Sequence, residues 1–432
     1  MKLIYLISES KLKSMWFRVI SMSVLLLFAV LLILTPTSTK IAGAVWLLCI
    51  VIAIFSVIFL PNPIASYVKT ERSEKKLFNP FLFWIKICAV GLLLKLLGVM
   101  WWAEDLSERQ AEFRLLFMAI AAYWIVQKWS PKLQDNKYFF VILCLHAVFF
   151  VVWSVLYARN GLTPTNRIPW ATGLGLISCV GFALMWYSQV SLPLKIINGL
   201  TIIFSCIGIA YSDVRGSYWV VLWFTLYTIF YSLYFLIKNK KYIILIIGSI
   251  FLYFILLNTV QLISKTERIN IAIQEYKSWR YSPDKNAGIN SSVGIRLHML
   301  DKGRTVFLDS PWVGYGTKER QKMIVSWGKD SKNSEVESLK YLHNEYLNNV
   351  IDYGIFGMLG GLIYLYGLIR LFLHYRNKNH VISISFLGLF FVHTLGSASN
   401  VNFIHNYYVI CFSLAIFLSM LLDNKNENKD LT

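Results

Sequence analysis

Three side chains stand in contexts that could support chemistry, and Arg215 is the first of them. It lies in a short turn between two apolar runs, where a guanidinium is costly unless it snorkels to water or meets an anion. Two interpretations follow: an interfacial ion pair with Asp213, or a planar fork that binds a phosphate through two hydrogen bonds. The sequence alone leaves both open.

His343 and Arg296 are the other two. His343 precedes an apolar run by about one helical turn, and an imidazole titrates close enough to neutrality to transfer protons. Arg296 lies on a predicted helix with Lys302 and Arg304 nearby, so it is equally a solvated charge or one member of a basic patch. Five further histidines lack a comparable context and are expected to be structural: His146, His374, His380, His393 and His405.

The sequence contains no recognisable motif for binding a metal ion or a nucleotide. The loops expected to face outward hold no DxD pair or carboxylate cluster suited to Mg²⁺ or Mn²⁺, and there is no Walker motif. The six cysteines all fall in apolar runs, without a CxxC or Cys/His cluster. We therefore expect no metal and no cofactor, so arginines would have to neutralise a phosphate leaving group.

The elements that position these residues are predicted to be membrane-spanning helices. Of the 432 residues, 56% are hydrophobic and only 15% are charged, whereas soluble domains average about 25% charged residues. The formal charge of +19 is better explained by basic loops that fix topology than by nucleic acid, because the lysines and arginines lie in short loops between apolar runs. No nucleic-acid partner is expected.

The apolar runs predict an all-α integral membrane protein of about twelve transmembrane helices. The predicted spans are 17–35, 41–60, 81–101, 115–127, 138–157, 171–189, 196–211, 218–237, 242–260, 346–373, 381–398 and 403–422. Alternate loops are richer in Lys and Arg, which places both termini in the cytoplasm. The chain then divides into spans in 1–260, one large outward loop at 261–345, spans in 346–422 and a cytoplasmic tail at 423–432.

The large outward loop is predicted to be helical. One helix is expected from Ser292 to about Phe307, lying on the membrane or against the bundle. Ser334–Glu337 has the pattern of a capping box, and it predicts a second helix that carries Leu339, Leu342, Leu347 and Val350. Gly354 is expected to break that helix before the next span.

The run from His343 to Gly357 resembles the signature of the O-antigen ligase/polymerase superfamily, His-Asn-x-x-Leu followed by Gly-x-x-Gly at the head of a span. Two shorter matches precede it in the expected order: Asp213-Val-Arg215-Gly-Ser and Gly294-Ile-Arg296-Leu, the latter followed by Pro311-Trp-Val-Gly-Tyr-Gly316. With the layout of the spans, the resemblance covers roughly residues 165–420.

The resemblance implies a metal-independent glycosyltransferase of the bacterial inner membrane, with its active site on the periplasmic face. Its donor would be a glycan linked to undecaprenyl diphosphate, and membrane lipids would surround it. It implies His343 as general base and Arg215 and Arg296 as residues that bind the diphosphate. Arg167 is a further candidate for substrate binding. Lys318, Arg320 and Lys322 form a basic cluster that could meet an anionic acceptor.

Within the superfamily, a ligase that uses lipid A–core oligosaccharide as acceptor is favoured. The chain has one large outward loop, and Asn166–Gly175 resembles the enterobacterial type of ligase. An O-antigen polymerase or a related oligosaccharyltransferase is the alternative. A flippase or other transporter is a third interpretation, disfavoured because no internal repeat is found and Lys86 and Lys95 are the only clear charges inside apolar runs.

Overall fold

A computed structural model describes residues 35, 38–59, 78–134, 137–160, 162–163, 165–185, 190–212, 214, scattered positions between 226 and 237, 268–281 and 288–422. All regular structure in this part of the chain is helical. The helices are α1 (Thr39–Phe59), α2 (Pro80–Trp101), a 3-10 turn (Leu106–Arg109), α3 (Gln110–Gln134), α4 (Lys137–Arg159), α5 (Arg167–Met185), α6 (Leu192–Tyr211), α7 (Arg268–Tyr281), α8 (Ser292–Asp309), α9 (Gly316–Asp330), α10 (Ser334–Ser338), α11 (Glu345–Tyr375), α12 (His380–Ser399) and α13 (Asn406–Leu421).

Six of these described helices are long and apolar enough to cross a membrane: α1, α2, α5, α6, α11 and α12. Shorter apolar segments lie within α4, at Val141–Leu156, and in α13. Their positions confirm the apolar runs predicted in those regions. The predicted span 242–260, nearly all of the spans 17–35 and 218–237, and the tail 423–432 lie outside the described residues, so the total of twelve spans stays a prediction.

Local sequence explains where several of these helices begin. Asn79 caps α2 by accepting hydrogen bonds from the amides of Phe81 and Leu82, and Pro80 occupies the first helical position. Asn379 caps α12 in the same way. Because an Asn side chain can satisfy amides that have no partner within the helix, these residues fix the ends of otherwise featureless apolar runs.

Helices α2 and α11 pack closely at the centre of the fold. A Cβ added at Gly91 would come within about 2.7 Å of the Tyr364 hydroxyl, and one added at Gly98 would lie about 2.5 Å from the Tyr353 ring. The two glycines therefore allow tyrosines of α11 to lie directly against α2. Beside this contact, Lys95 is buried and its Nζ lies 2.6 Å from Glu112 Oε1 of α3, so a charge inside the apolar run has an anionic partner.

The segment between α7 and α11 has a small core of its own. It consists of Ile289, Ile295, Met299, Ile324, Trp327, Val336, Leu342 and Ile351. Two members of this core matter for function: Leu342 immediately precedes His343, and Ile351 belongs to α11. The loop core therefore continues into the helix that leads down into the bundle.

Two details of the sequence prediction are corrected by the structure. The run predicted as 115–127 belongs to the longer helix Gln110–Gln134. The helix predicted from the capping box does not continue to Val350: α10 ends at Ser338, and a new helix begins at Glu345. The N-cap of α10 is Asn333, whose side chain accepts from the Val336 amide. The helix from Ser292 is confirmed, and it extends to Asp309.

Candidate active site

His343 lies in the irregular segment between α10 and α11. It has φ of +54°, a left-handed conformation that is unusual for a residue with a side chain. Asn344 follows it as the N-cap of α11, accepting from the Leu347 amide at 2.9 Å. A strained backbone of this kind persists only where its surroundings hold it, and such residues are common in active sites.

Helix α11, which follows the segment that carries His343, is kinked. The helix is interrupted at Tyr353 and Gly354, the latter with φ of +57°, so the helix break predicted at Gly354 is confirmed as a kink. The turn Pro311–Gly316 fits into the interruption, because the Ile355 amide donates to the Pro311 carbonyl at 2.9 Å and the Tyr315 amide donates to the Ile351 carbonyl at 2.9 Å.

A buried ion pair joins α9 to the first part of α11. Arg320 Nε lies 2.5 Å from Asp352 Oδ1, and both side chains are at most 2% exposed. Arg320 Nη1 also donates to the Lys340 carbonyl, and its guanidinium lies over the Tyr341 ring at 5.2 Å. Arg320 therefore ties the residues just before His343 to the kinked helix.

Arg296 and His343 come together across the gap between α8 and the start of α11. Burial of the imidazole lowers the pKa of His343, the positive charge of Arg296 lowers it further, and the nearby Asn400 side chain acts in the opposite direction. Burial is the largest of these effects, and it favours the neutral imidazole. Neutral imidazole is the form that accepts a proton, so the surroundings of His343 suit a general base near pH 7.

Arg296 is partly buried on α8. Its Nη1 donates to the Ser292 hydroxyl at 2.8 Å and to the Ser292 carbonyl at 3.3 Å, one helical turn earlier. These contacts hold the guanidinium along its own helix while its charge still reaches His343.

The turn between α12 and α13 forms the other wall around His343. Asn344 Nδ2 donates to the Ala398 carbonyl at 3.0 Å. Glu345 Oε2 accepts from the Ser397 hydroxyl at 2.9 Å and from the Asn402 amide at 3.1 Å. Burial, together with the nearby His343, lowers the pKa of His405 to about 4.

The remaining predicted site residues are distributed as follows. Arg215 and its suggested partner Asp213 lie outside the described residues. Arg167 is exposed at the first position of α5, and Thr172 of the same helix lies against Gly396 of α12, near the end of α12 that leads to the turn around His343. Lys318 and Lys322 are exposed on α9, where Lys322 Nζ lies 2.9 Å from Glu319.

The prediction that Arg320 belongs to an exposed cluster with Lys318 and Lys322 is wrong. Arg320 is 1% exposed because the inner face of α9 packs on α11, and its guanidinium is committed to Asp352. His405 was predicted to be structural, and Asn400 was not among the predicted site residues. Both lie more than fifty residues beyond His343 with no motif linking them to it, so only the packing of α13 and α12 against α11 reveals their proximity.

Among the described residues, no group of three or more His, Cys, Asp or Glu side chains is arranged to hold a metal ion. The groups that surround His343 are instead one arginine, asparagines and a second histidine. This set can hold an anion and accept a proton at adjacent positions.

Comparison with known families agrees with this arrangement. Residues 200–362 match the family model Wzy_C, described as O-Antigen ligase. The matched region contains Arg215, Arg296 and His343, and it ends before the turn between α12 and α13. No curated protein matches the chain. The match over residues 200–362 supports placing this multi-pass membrane protein in the O-antigen ligase superfamily, whose members are glycosyltransferase-like enzymes.

Proposed function

We propose that this protein is an O-antigen ligase of the bacterial inner membrane. It transfers O-antigen polysaccharide from undecaprenyl diphosphate to the outer core of lipid A–core oligosaccharide, at the periplasmic face, with both termini in the cytoplasm. The observation that carries the proposal is the position of Arg296 near a partly buried His343, whose pKa is lowered by burial and by the charge of the arginine. The family match supports glycan transfer from lipid-linked donors to membrane acceptors in general.

In the proposed reaction, His343 takes the proton from a hydroxyl of the acceptor sugar. The hydroxyl oxygen then forms a bond to the anomeric carbon of the donor glycan as the bond from that carbon to the diphosphate breaks. Attack from the side opposite the leaving group inverts the anomeric carbon. The diphosphate departs on the polyprenyl carrier with its negative charge increased, and no metal ion takes part.

Arg296 and Arg215 stabilise the departing diphosphate in this scheme. A guanidinium stays protonated at any physiological pH and presents planar pairs of donors that match phosphate oxygens. The charge of Arg296 lowers the pKa of His343, so one residue serves two purposes: it attracts the anionic donor and keeps the base unprotonated. Arg167 supplies a further cation for the substrates at the end of the bundle where α5 begins.

The acceptor reaches His343 from the side of the loop helices in this proposal. Lys318 and Lys322 remain on the exposed face of α9, where they attract the anionic sugars of a lipid A–core acceptor. Arg320 is excluded from this role by its buried ion pair. The positions of the two lysines favour an acceptor that projects above the membrane.

The lipopolysaccharide banding pattern of a deletion strain tests the proposal. Loss of a ligase leaves lipid A–core without O-polymer on the gel, while full-length polymer accumulates on the carrier. Complementation with the intact gene restores the ladder, and expression of the His343→Ala variant at equal level does not. A deletion strain whose lipid A–core bears a single repeat would instead identify a polymerase and overturn the ligase assignment.

A further inference from the structure

Trp312 is 73% exposed, although the turn Pro311–Gly316 that carries it is held firmly. The Ile355 amide donates to the Pro311 carbonyl at 2.9 Å, and a Cβ added at Gly354 would lie about 2.4 Å from the Trp312 carbonyl carbon. The backbone of the turn is therefore wedged into the kink of α11. An indole on such a turn stays exposed unless something outside the protein covers it.

A second set of contacts attaches the turn to the end of α2. Trp102 Nε1 donates to the Val313 carbonyl at 2.9 Å. Glu104 accepts from the Thr317 hydroxyl at 2.7 Å and, through its other oxygen, from the Tyr353 hydroxyl at 2.6 Å. The turn is thus bound to two helices at once, which fixes its level along the bundle.

That level is one end of a membrane span. Helices α2 and α11 run antiparallel, because the Phe78 and His374 rings lie 4.4 Å apart near one end and Gly98 meets the Tyr353 ring near the other. The 22 residues of α2 extend about 33 Å, close to the ~30 Å of a hydrocarbon core. Helix α11, with 31 residues, is longer than one crossing needs, and only its part after the kink lies alongside α2. The kink and Trp102 therefore mark the same membrane boundary.

The adjoining surface of α2 has the pattern of a lipid-facing stripe. Its large exposed apolar residues recur at intervals that place them on one helical face: Leu93, Leu97, Met100 and Trp101. The stripe ends at Trp101, and Trp102 follows with its bond to the residue after Trp312. Three tryptophans thus gather where this span ends, which is where aromatic residues meet lipid headgroups.

We propose that the turn Pro311–Gly316 is a membrane anchor, with the Trp312 indole inserted among bilayer lipids at the boundary between headgroups and acyl chains. An indole suits this position because its ring is apolar while its N–H can donate to polar lipid groups. Lipid is favoured as the occupant because the turn lies at the end of a span, beside a lipid-facing stripe. The anchor fixes the level of the α11 kink in the membrane. This inference does not depend on the proposed glycosyl transfer.

Fluorescence quenching in phosphatidylcholine nanodiscs tests the proposal. A nitrobenzoxadiazole label is attached to Trp312→Cys, and the unmodified chain measures background labelling of the six native cysteines, which are all buried. Met100→Cys is the lipid-facing control, and Lys329→Cys, at the exposed charged end of α9, is the aqueous control. We expect a nitroxide near the top of the acyl chain to quench the labels at 312 and 100 strongly, and iodide in the buffer to quench the label at 329.

Photo-crosslinking in intact membranes provides a second measurement that keeps a large aromatic group on the turn. With p-benzoylphenylalanine in place of Trp312, mass spectrometry should find phospholipid adducts. The proposal is overturned if the label at 312 is quenched like the label at 329 and no lipid adduct forms. Crosslinks to a second copy of the chain or to another protein would instead identify a protein interface. Adducts with a polyprenyl diphosphate alone would identify a donor subsite, and either result also overturns the anchor.

Discussion

Replacing Arg320 with methionine should loosen the segment that carries His343. The substitution keeps an unbranched side chain but leaves Asp352 buried at 2% exposure without its cation. Removing one partner of a buried pair costs about 3–5 kcal/mol. Asp352 keeps one hydrogen bond, from Asn348 Nδ2 at 3.0 Å, so we expect about 3 kcal/mol, the lower end of that range. Residues 339–342 also lose the contact from Arg320 to the Lys340 carbonyl.

Hydrogen exchange of the detergent-solubilised protein, read by mass spectrometry, measures the effect. About 3 kcal/mol corresponds to roughly a 10²-fold increase in the opening equilibrium of peptides that span 339–345. Lys318→Met is the control, because the lysine is exposed on the same helix. The double variant Arg320→Met/Asp352→Leu should recover most of the protection, since replacing a buried pair by apolar groups is often neutral. Equal exchange in Arg320→Met and Lys318→Met would refute the reasoning.

Three further predictions follow from the same geometry. Arg296→Gln removes a positive charge that lowers the pKa of His343, so the pKa should rise. Because the neutral imidazole is the active form, the acidic limb of the pH–rate profile should then move to higher pH. An unchanged acidic limb would contradict the proximity of the two groups. Arg215→Lys and Arg296→Lys keep the charge but lose the planar fork, so each should lower transfer at least tenfold in the same assay; near-normal rates in both would exclude bidentate binding of the diphosphate. Gly354→Ala places a side chain on a residue with left-handed backbone, which costs about 1–2 kcal/mol, and the added Cβ would clash with the backbone at Trp312. The variant should lower the apparent Tm in detergent by several degrees, whereas Gly43→Ala, which has open space around it, should leave the Tm unchanged. Equal Tm values for the two variants would contradict this prediction.

The helices of the bundle could be predicted from sequence because their causes are local. Apolar runs bounded by polar residues predicted α2, α11 and α12, and caps such as Asn79 fixed the ends within a few residues. Gly354 could be predicted as a break, because only a residue without a Cβ tolerates its conformation at such a close approach.

The break between α10 and α11 could not be predicted, because its causes are tertiary. The periodicity of Leu339, Leu342 and Leu347 suits one continuous helix, but Arg320 from α9 takes the Lys340 carbonyl and His343 adopts a left-handed backbone. For the same reason Arg320 was predicted as an exposed cation: its sequence neighbours are exposed lysines, and nothing in the sequence shows that Asp352 lies opposite.

Only part of the candidate site could be predicted from the sequence, again because some of its contacts are tertiary. His343 and Arg296 could be singled out from short motifs, and the structure places them together. Asn400 and His405 could not, because no motif accompanies them and their distance along the chain from His343 hides the contact. The role of Arg215 stays a prediction, since it lies outside the described residues.

The rate of glycan transfer by purified His343→Ala protein tests whether His343 is the general base. Removal of a general base should lower the rate by about 10²- to 10⁴-fold while the protein remains monodisperse and retains the apparent Tm of the unmodified chain. His380→Ala is the matched control, because this exposed histidine begins α12, at the opposite end of that helix from the turn that contacts the site. We predict a severe loss of transfer in His343→Ala and none in His380→Ala. Transfer at the normal rate by His343→Ala would show that His343 is not the base.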